Sequence, residues 1–186
     1  MRTLLLAILC WLVAGPPAVQ AASLFSEPVV ITTAGQSSDL LLARQFFTKA
    51  GLTKARASAR FTADSLAGVK CLVLVVGGSS KGLGQAKNAT DVELARVKAL
   101  VQKAKTLKVP ILCLHVGREA RRGPLSDPFI SPVVPSARQV LVLAGGNKDK
   151  LFTTLAGPAK VPVTEAADYR EVVARVAEWF GKTAAK

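Results

Sequence analysis

This chain is poor in the side chains from which most catalytic and metal centres are built. It has one histidine, three cysteines and one tyrosine in 186 residues, and aromatics make up only 5% of it. A lone histidine and separated cysteines offer no metal-ligand spacing, so no metal site and no cofactor are expected. The few aromatics do not alternate with basic residues, which argues against the stacking platforms of a nucleic-acid binder. Acidic residues are also scarce, 12 against 25 lysines and arginines, for a formal net charge of +13. Such an excess attracts small carboxylates and phosphates, acidic polymers or anionic headgroups.

What is present begins with a leader pattern: Arg2, an apolar stretch from Leu4 to Ala14, and Val19-Gln20-Ala21 as a small-residue cleavage site. Residues 1–21 are read as a signal peptide and 22–186 as a single α/β domain, exported to the periplasm or secreted. Leu9 stands before Cys10 where a lipoprotein needs a small residue, so lipidation is not expected. No later apolar run reaches the ~18 residues of a membrane span. Without Arg2 the net charge falls from +13 to +12.

Strand and helix signals alternate along the rest. Strands are expected at 28–33, 54–61 (an edge strand), 71–76, 111–116, 139–144 and 161–163. Helices are expected at 40–50, after Thr90, briefly at 126–130, and at 148–156 and 167–180. In the helix after Thr90, Thr90 and Glu93 read as a capping box, with Val92, Leu94, Val97, Leu100, Val101 and Ala104 as the buried stripe. Leu72–Val76 and the run ILCLHVG leave no polar face, so these strands are covered on both sides, as in a parallel sheet. The fold class that follows is α/β, a three-layer doubly wound mostly parallel sheet, Rossmann-like in general and flavodoxin-like in preferred strand order. Cys71 and Cys113 fall in different strands. If the glycines ending those strands are level, the sulfurs are offset by two or three residues, about 7 to 10 Å, too far for a disulfide.

Candidate binding residues collect in the loops that such a sheet opens on its carboxyl edge. They are Gln36 and Ser37 (with Ser38) after the first strand, and Gly78, Ser79, Ser80, Lys81, Gly82 and Gly84 after the central one. His115, Arg118, Glu119, Arg121, Arg122 and Asp127 follow ILCL, and Asn147 (with Lys148) follows the strand from Gln139. Glycine allows close backbone approach, serine donates and accepts, and arginine grips a carboxylate or phosphate with two parallel N–H bonds. The set suits a small anionic solute. An enzyme would need Ser79 or Ser80 as nucleophile and His115 as base. A third class is a basic envelope interaction protein, whose binding would follow total charge.

GGSSKGLG resembles the nucleotide-binding loop of short-chain dehydrogenases, with Gly78, Gly82 and Gly84 in its three glycine places. That family's catalytic tyrosine precedes a lysine by four residues, whereas Tyr169 precedes Val173 here. The helix is also expected only after Thr90, so the match is read as convergence on one turn. Across the chain, SEPVVITTAGQSSD, GGSSKGLG, ELARVKAL, HVGREARRGPLSDPFI and GGNKDKLF resemble a secreted bacterial family, domain-of-unknown-function family 6305. The resemblance implies an exported bacterial α/β domain and brings no activity, catalytic residue or cofactor with it. The combined expectation is a non-catalytic binding domain of the envelope, serving uptake or sensing, with a small anionic solute or an envelope component as partner.

Overall fold

The computed structural model describes residues 23–84 and 89–184. The leader and its cleavage site lie outside the described residues. The strands are β1 (Val29–Ala34), β2 (Ala55–Ala57), β3 (Cys71–Val76), β4 (Ile111–His115), β5 (Gln139–Leu143) and β6 (Val163–Ala166). They form a six-stranded sheet in the order β2-β1-β3-β4-β5-β6, with every pairing parallel. β1 lies beside β3, as the flavodoxin-like order requires. Connecting helices are α1 (Leu40–Lys49), α2 (Ser80–Leu83), α3 (Ala89–Thr106), α4 (Asp127–Ile130), α5 (Leu151–Ala156) and α6 (Tyr169–Trp179).

The apolar strands lack a polar face because both faces are covered. Ile31, Val73, Val75, Leu114 and Leu141 pack beneath Phe46 and Phe47 of α1 and Val172 and Val176 of α6. Val30, Leu72, Leu74, Val140 and Val142 pack against Val97 and Leu100 of α3, Phe129 and Ile130 of α4, and Phe152 of α5. That is the three-layer arrangement. β2 is short and only partly covered, as befits an edge.

Both cysteines are free and buried. Cys113 is level with Leu74 of β3, three places beyond Cys71, and the two thiols point to opposite layers. Burial pushes both thiols well above their ordinary range, which keeps them inert.

Several local expectations are corrected. Thr90 lies inside α3, and the Glu93 carboxylate is engaged by Gly35, Gln36 and Arg96, so the pair is not a capping box. Val92 is 61% exposed, and Glu93 takes its place on the stripe with Val97, Leu100 and Ala104. A one-turn helix, α2, does open inside the glycine loop at Ser80, where none was expected. α5 starts at Leu151, after Lys150 in the left-handed region at φ 62°. β6 is displaced toward the carboxyl side of its expected position. No described helix is long and apolar enough to cross a membrane.

Candidate functional site

Strand order reverses between β1 and β3, and in a doubly wound sheet the loops diverging there leave a crevice for ligands. Here the chain fills that crevice itself. The Gly77 amide donates to Ala34 O at 3.0 Å and the Ser79 amide to Gly35 O at 2.9 Å, while Gln36 and Gly78 form an antiparallel bridge. The Gly78 amide donates to Ser126 Oγ at 2.9 Å, and the Gly35 amide to Glu93 Oε1 at 3.0 Å. Ser79 Oγ accepts from the Gly82 amide at 3.2 Å as the cap of α2. The N–H groups of Gly77, Gly78, Ser79 and Gly82 are therefore spent on internal partners.

Gln36 is fixed by its Nε2, which donates to Glu93 Oε2 at 2.8 Å and Ala59 O at 3.2 Å. Ser37 is buried, and its hydroxyl accepts from the Asp39 amide. Ser80, Lys81, Gly82 and Gly84 remain exposed on the outer side of the loop.

The arginine turn does meet the serine-lysine turn. Arg121 Nη1 donates to Gly78 O at 3.2 Å, and its Nε lies 3.8 Å from Asp39 Oδ2, a buried oxygen with no hydrogen-bond donor among the described residues. Arg122 is locked: it donates to Asp127 at 3.0 Å, to Asp149 at 2.8 Å and to the Gly146 carbonyl, with its guanidinium over the Phe152 ring. These partners raise its pKa against the opposing effect of desolvation. Asp127 also accepts from the Gly123 amide. Asn147 serves the fold, since its Oδ1 accepts from the Phe152 amide and its Nδ2 donates to Thr153 and Glu165.

His115 is completely buried. Its Nδ1 lies 3.0 Å from Val76 O and its Nε2 2.9 Å from Arg118 O, so both ring nitrogens face carbonyl oxygens. Neither is free to take a proton from Ser79 or Ser80. Burial pushes its pKa below the ordinary 6.5; the two carbonyls and Asp39 pull it back, and Arg122 acts with burial. The folded state thus binds this proton less readily than the unfolded chain. Stability from neutral His115 is complete above pH 6.5 and falls as pH drops from there toward the lowered folded value. In urea titrations, His115→Gln should lose less stability than the parent between pH 7 and pH 5; parallel curves would refute the burial argument.

An opening of ligand size on this edge lies beside the loops after β4 and β5. A cleft of about 280 Å³ is lined by Glu119, Arg122, Gly123, Gly145, Gly146, Lys148 and Asp149. Lys148 Nζ reaches Glu119 Oε2 at 2.7 Å across its mouth, and these side chains are 70% and 75% exposed. Arg118 borders the cleft, its Cβ lying 4.0 Å from where a Cβ on Gly145 would stand. Among the described residues no cluster of histidine, cysteine, aspartate and glutamate could hold a metal.

Sequence reasoning missed Glu93, Arg96, Ser126 and Asp149. Glu93 left a readable signal: counting from Val97, Leu100 and Ala104, it falls on their buried stripe, and an acid there needs a buried partner. Ser126 and Asp149 left none.

Fold and site together define a doubly wound α/β domain whose switch-point crevice is occupied by its own loops. The family model of the domain of unknown function DUF6305 matches residues 26–180, and the chain belongs to that family. No curated protein and no solved structure matches it.

Proposed function

We propose that this chain is an exported, non-catalytic binding domain of the bacterial envelope that takes a small anionic solute in the cleft between the loops after β4 and β5. The observation that carries the reading is the pairing at the mouth of that cleft. Among the described residues Lys148 is held only by Glu119, and both are largely exposed, so the pair is weak and easily exchanged for a better anion. Arg122, its charge met by Asp127 and Asp149, closes the floor, and Gly145 keeps the wall low enough for close approach. Glu119 then acts as an internal placeholder for the ligand's carboxylate or phosphate. The non-catalytic reading is supported by His115, whose ring nitrogens are both engaged, and by Ser79, whose hydroxyl caps α2.

The test is a thermal-shift and calorimetric screen of the chain from Ala22 onward, which contains every described residue, against carboxylates and inorganic phosphate. Lys148→Ala with Arg118→Ala should weaken the best ligand roughly 10-fold or more. Glu119→Gln should tighten it several-fold by removing the competitor. Unchanged affinity in both variants would end the proposal.

A further inference from the structure

The opposite edge of the sheet carries a row of cations. Lys54 immediately precedes β2, Lys70 precedes β3, and Arg138 precedes β5; Lys108 and Lys160 stand three residues ahead of β4 and β6. All five are exposed. With neighbouring strands about 4.8 Å apart, the row extends roughly 24 Å across the amino edge. The one acid in line, Glu27 ahead of β1, is held by Lys182 Nζ at 3.2 Å and by the Lys54 amide. Lys70, Lys108, Arg138 and Lys160 form no ion pair among the described residues, which include every aspartate and glutamate of the chain.

The contrast with the carboxyl edge is informative, because there Arg121, Arg122 and Lys148 face Asp39, Asp127, Asp149 and Glu119. Helix dipoles account for Lys108 at the end of α3, but not for Lys54, Lys70 and Arg138 directly at strand entries. Lys108 and Lys160 are held in left-handed backbone at φ 55° and 54°, positions that favour glycine or asparagine. Beside Lys108, Leu107 is 43% exposed and lines a groove with Ser23, Leu24, Lys70 and Pro110. Ser23 is where the described chain starts, so the apolar stretch Leu4–Ala14 is joined to the domain on this edge.

We infer that the amino edge of the sheet is a docking surface for an anionic phospholipid bilayer. The cations meet headgroup phosphates, Leu107 enters the interface, and the leader, before its removal, delivers the domain to the membrane with this edge facing it. Phosphate recognition here is by point charges on a flat row, so affinity grows with the number of cations and falls with salt.

The test is co-sedimentation of the chain from Ala22 onward with vesicles of equal parts phosphatidylglycerol and phosphatidylcholine; omitting the leader removes its own lipid affinity. Lys70→Gln, Lys108→Gly and Arg138→Gln together should weaken binding roughly 100-fold. Arg44→Gln, Lys81→Gln and Lys98→Gln, which remove equal charge elsewhere, should cost only a few-fold. Lys108→Gly alone should raise Tm by about 2 °C, since glycine suits its backbone, while still binding more weakly, so unfolding does not mimic the result. Leu107→Ala should lower vesicle binding several-fold and leave binding of soluble polyphosphate unchanged. Equal losses in the two triple variants, equal binding to pure phosphatidylcholine, or a Leu107→Ala protein that binds vesicles like the parent would each overturn the inference.

Discussion

Glu93→Ala is expected to lower the unfolding free energy by about 3 kcal/mol in urea denaturation, because it strands a largely buried guanidinium. Glu93 is 5% exposed. Its carboxylate accepts from Arg96 Nη2 at 2.7 Å and Nε at 2.8 Å, from the Gly35 amide, and from Gln36. Arg96 in turn donates to Thr33 O and Phe61 O, both at 2.6 Å. One helical carboxylate thus ties α3 to the end of β1 and to the chain after β2. Removing it leaves a charge and an amide without their partner, and each buried unpaired group carries a full desolvation cost. Glu93→Gln keeps the shape and one acceptor oxygen, so its loss should be intermediate. A loss below about 1 kcal/mol for the alanine variant would show that the network does not hold the β1 loop.

Gly35→Ala is expected to be at least as damaging, at about 3 to 5 kcal/mol, or to leave the protein insoluble. Gly35 sits at φ +111°, where side chains are strained, and a Cβ there would stand 2.5 Å from Gly77 O and 2.8 Å from a Phe129 ring carbon. The clash is with backbone on the neighbouring strand end, which cannot rotate away. Gly68, at φ +70° with nothing within 4 Å, isolates the backbone part. Gly68→Ala should cost only about 1 kcal/mol, and the difference between the variants measures how tightly the switch point is closed. Similar costs for both would mean that the β1 and β3 loops are not in firm contact.

The proposed solute cleft and the membrane edge make separate demands on the same basic chain. A ligand in the cleft would exchange with Glu119 and follow Lys148 and Arg118. A bilayer would follow Lys70, Lys108 and Arg138 at the other end of the strands. Both give salt-dependent binding, so only the substitutions tell them apart.

The layered fold was legible because its signals are local. Leu72–Val76 and Ile111–Leu114 are uninterrupted apolar runs, and such strands can be satisfied only inside a parallel sheet with helices on both faces. The meeting of the Gly78 and Arg121 loops followed from the same topology, since parallel strands bring all their carboxyl ends to one edge. The stripe of α3 was misread at Val92 because a period of 3.6 places adjacent residues 100° apart, and apolar character alone chose Val92 over Glu93. The carboxylate belonged inside because Arg96 and the Gly35 amide were waiting there, partners distant or opposite in character along the chain.

By itself, then, the sequence determined the class of fold, the burial of the strands that carry Cys71 and Cys113, and which loops would share an edge; the placing of β1 beside β3 was a preference until the structure gave the strand order. Burial pattern and turn chemistry are carried by residues adjacent in the chain. Only the tertiary structure decided that the glycine loop is filled from within, that His115 is sealed between two carbonyls, and that unpaired cations line the far edge. Those outcomes depend on which long-range hydrogen-bond partner lies within about 3 Å, a distance that no spacing in the chain encodes.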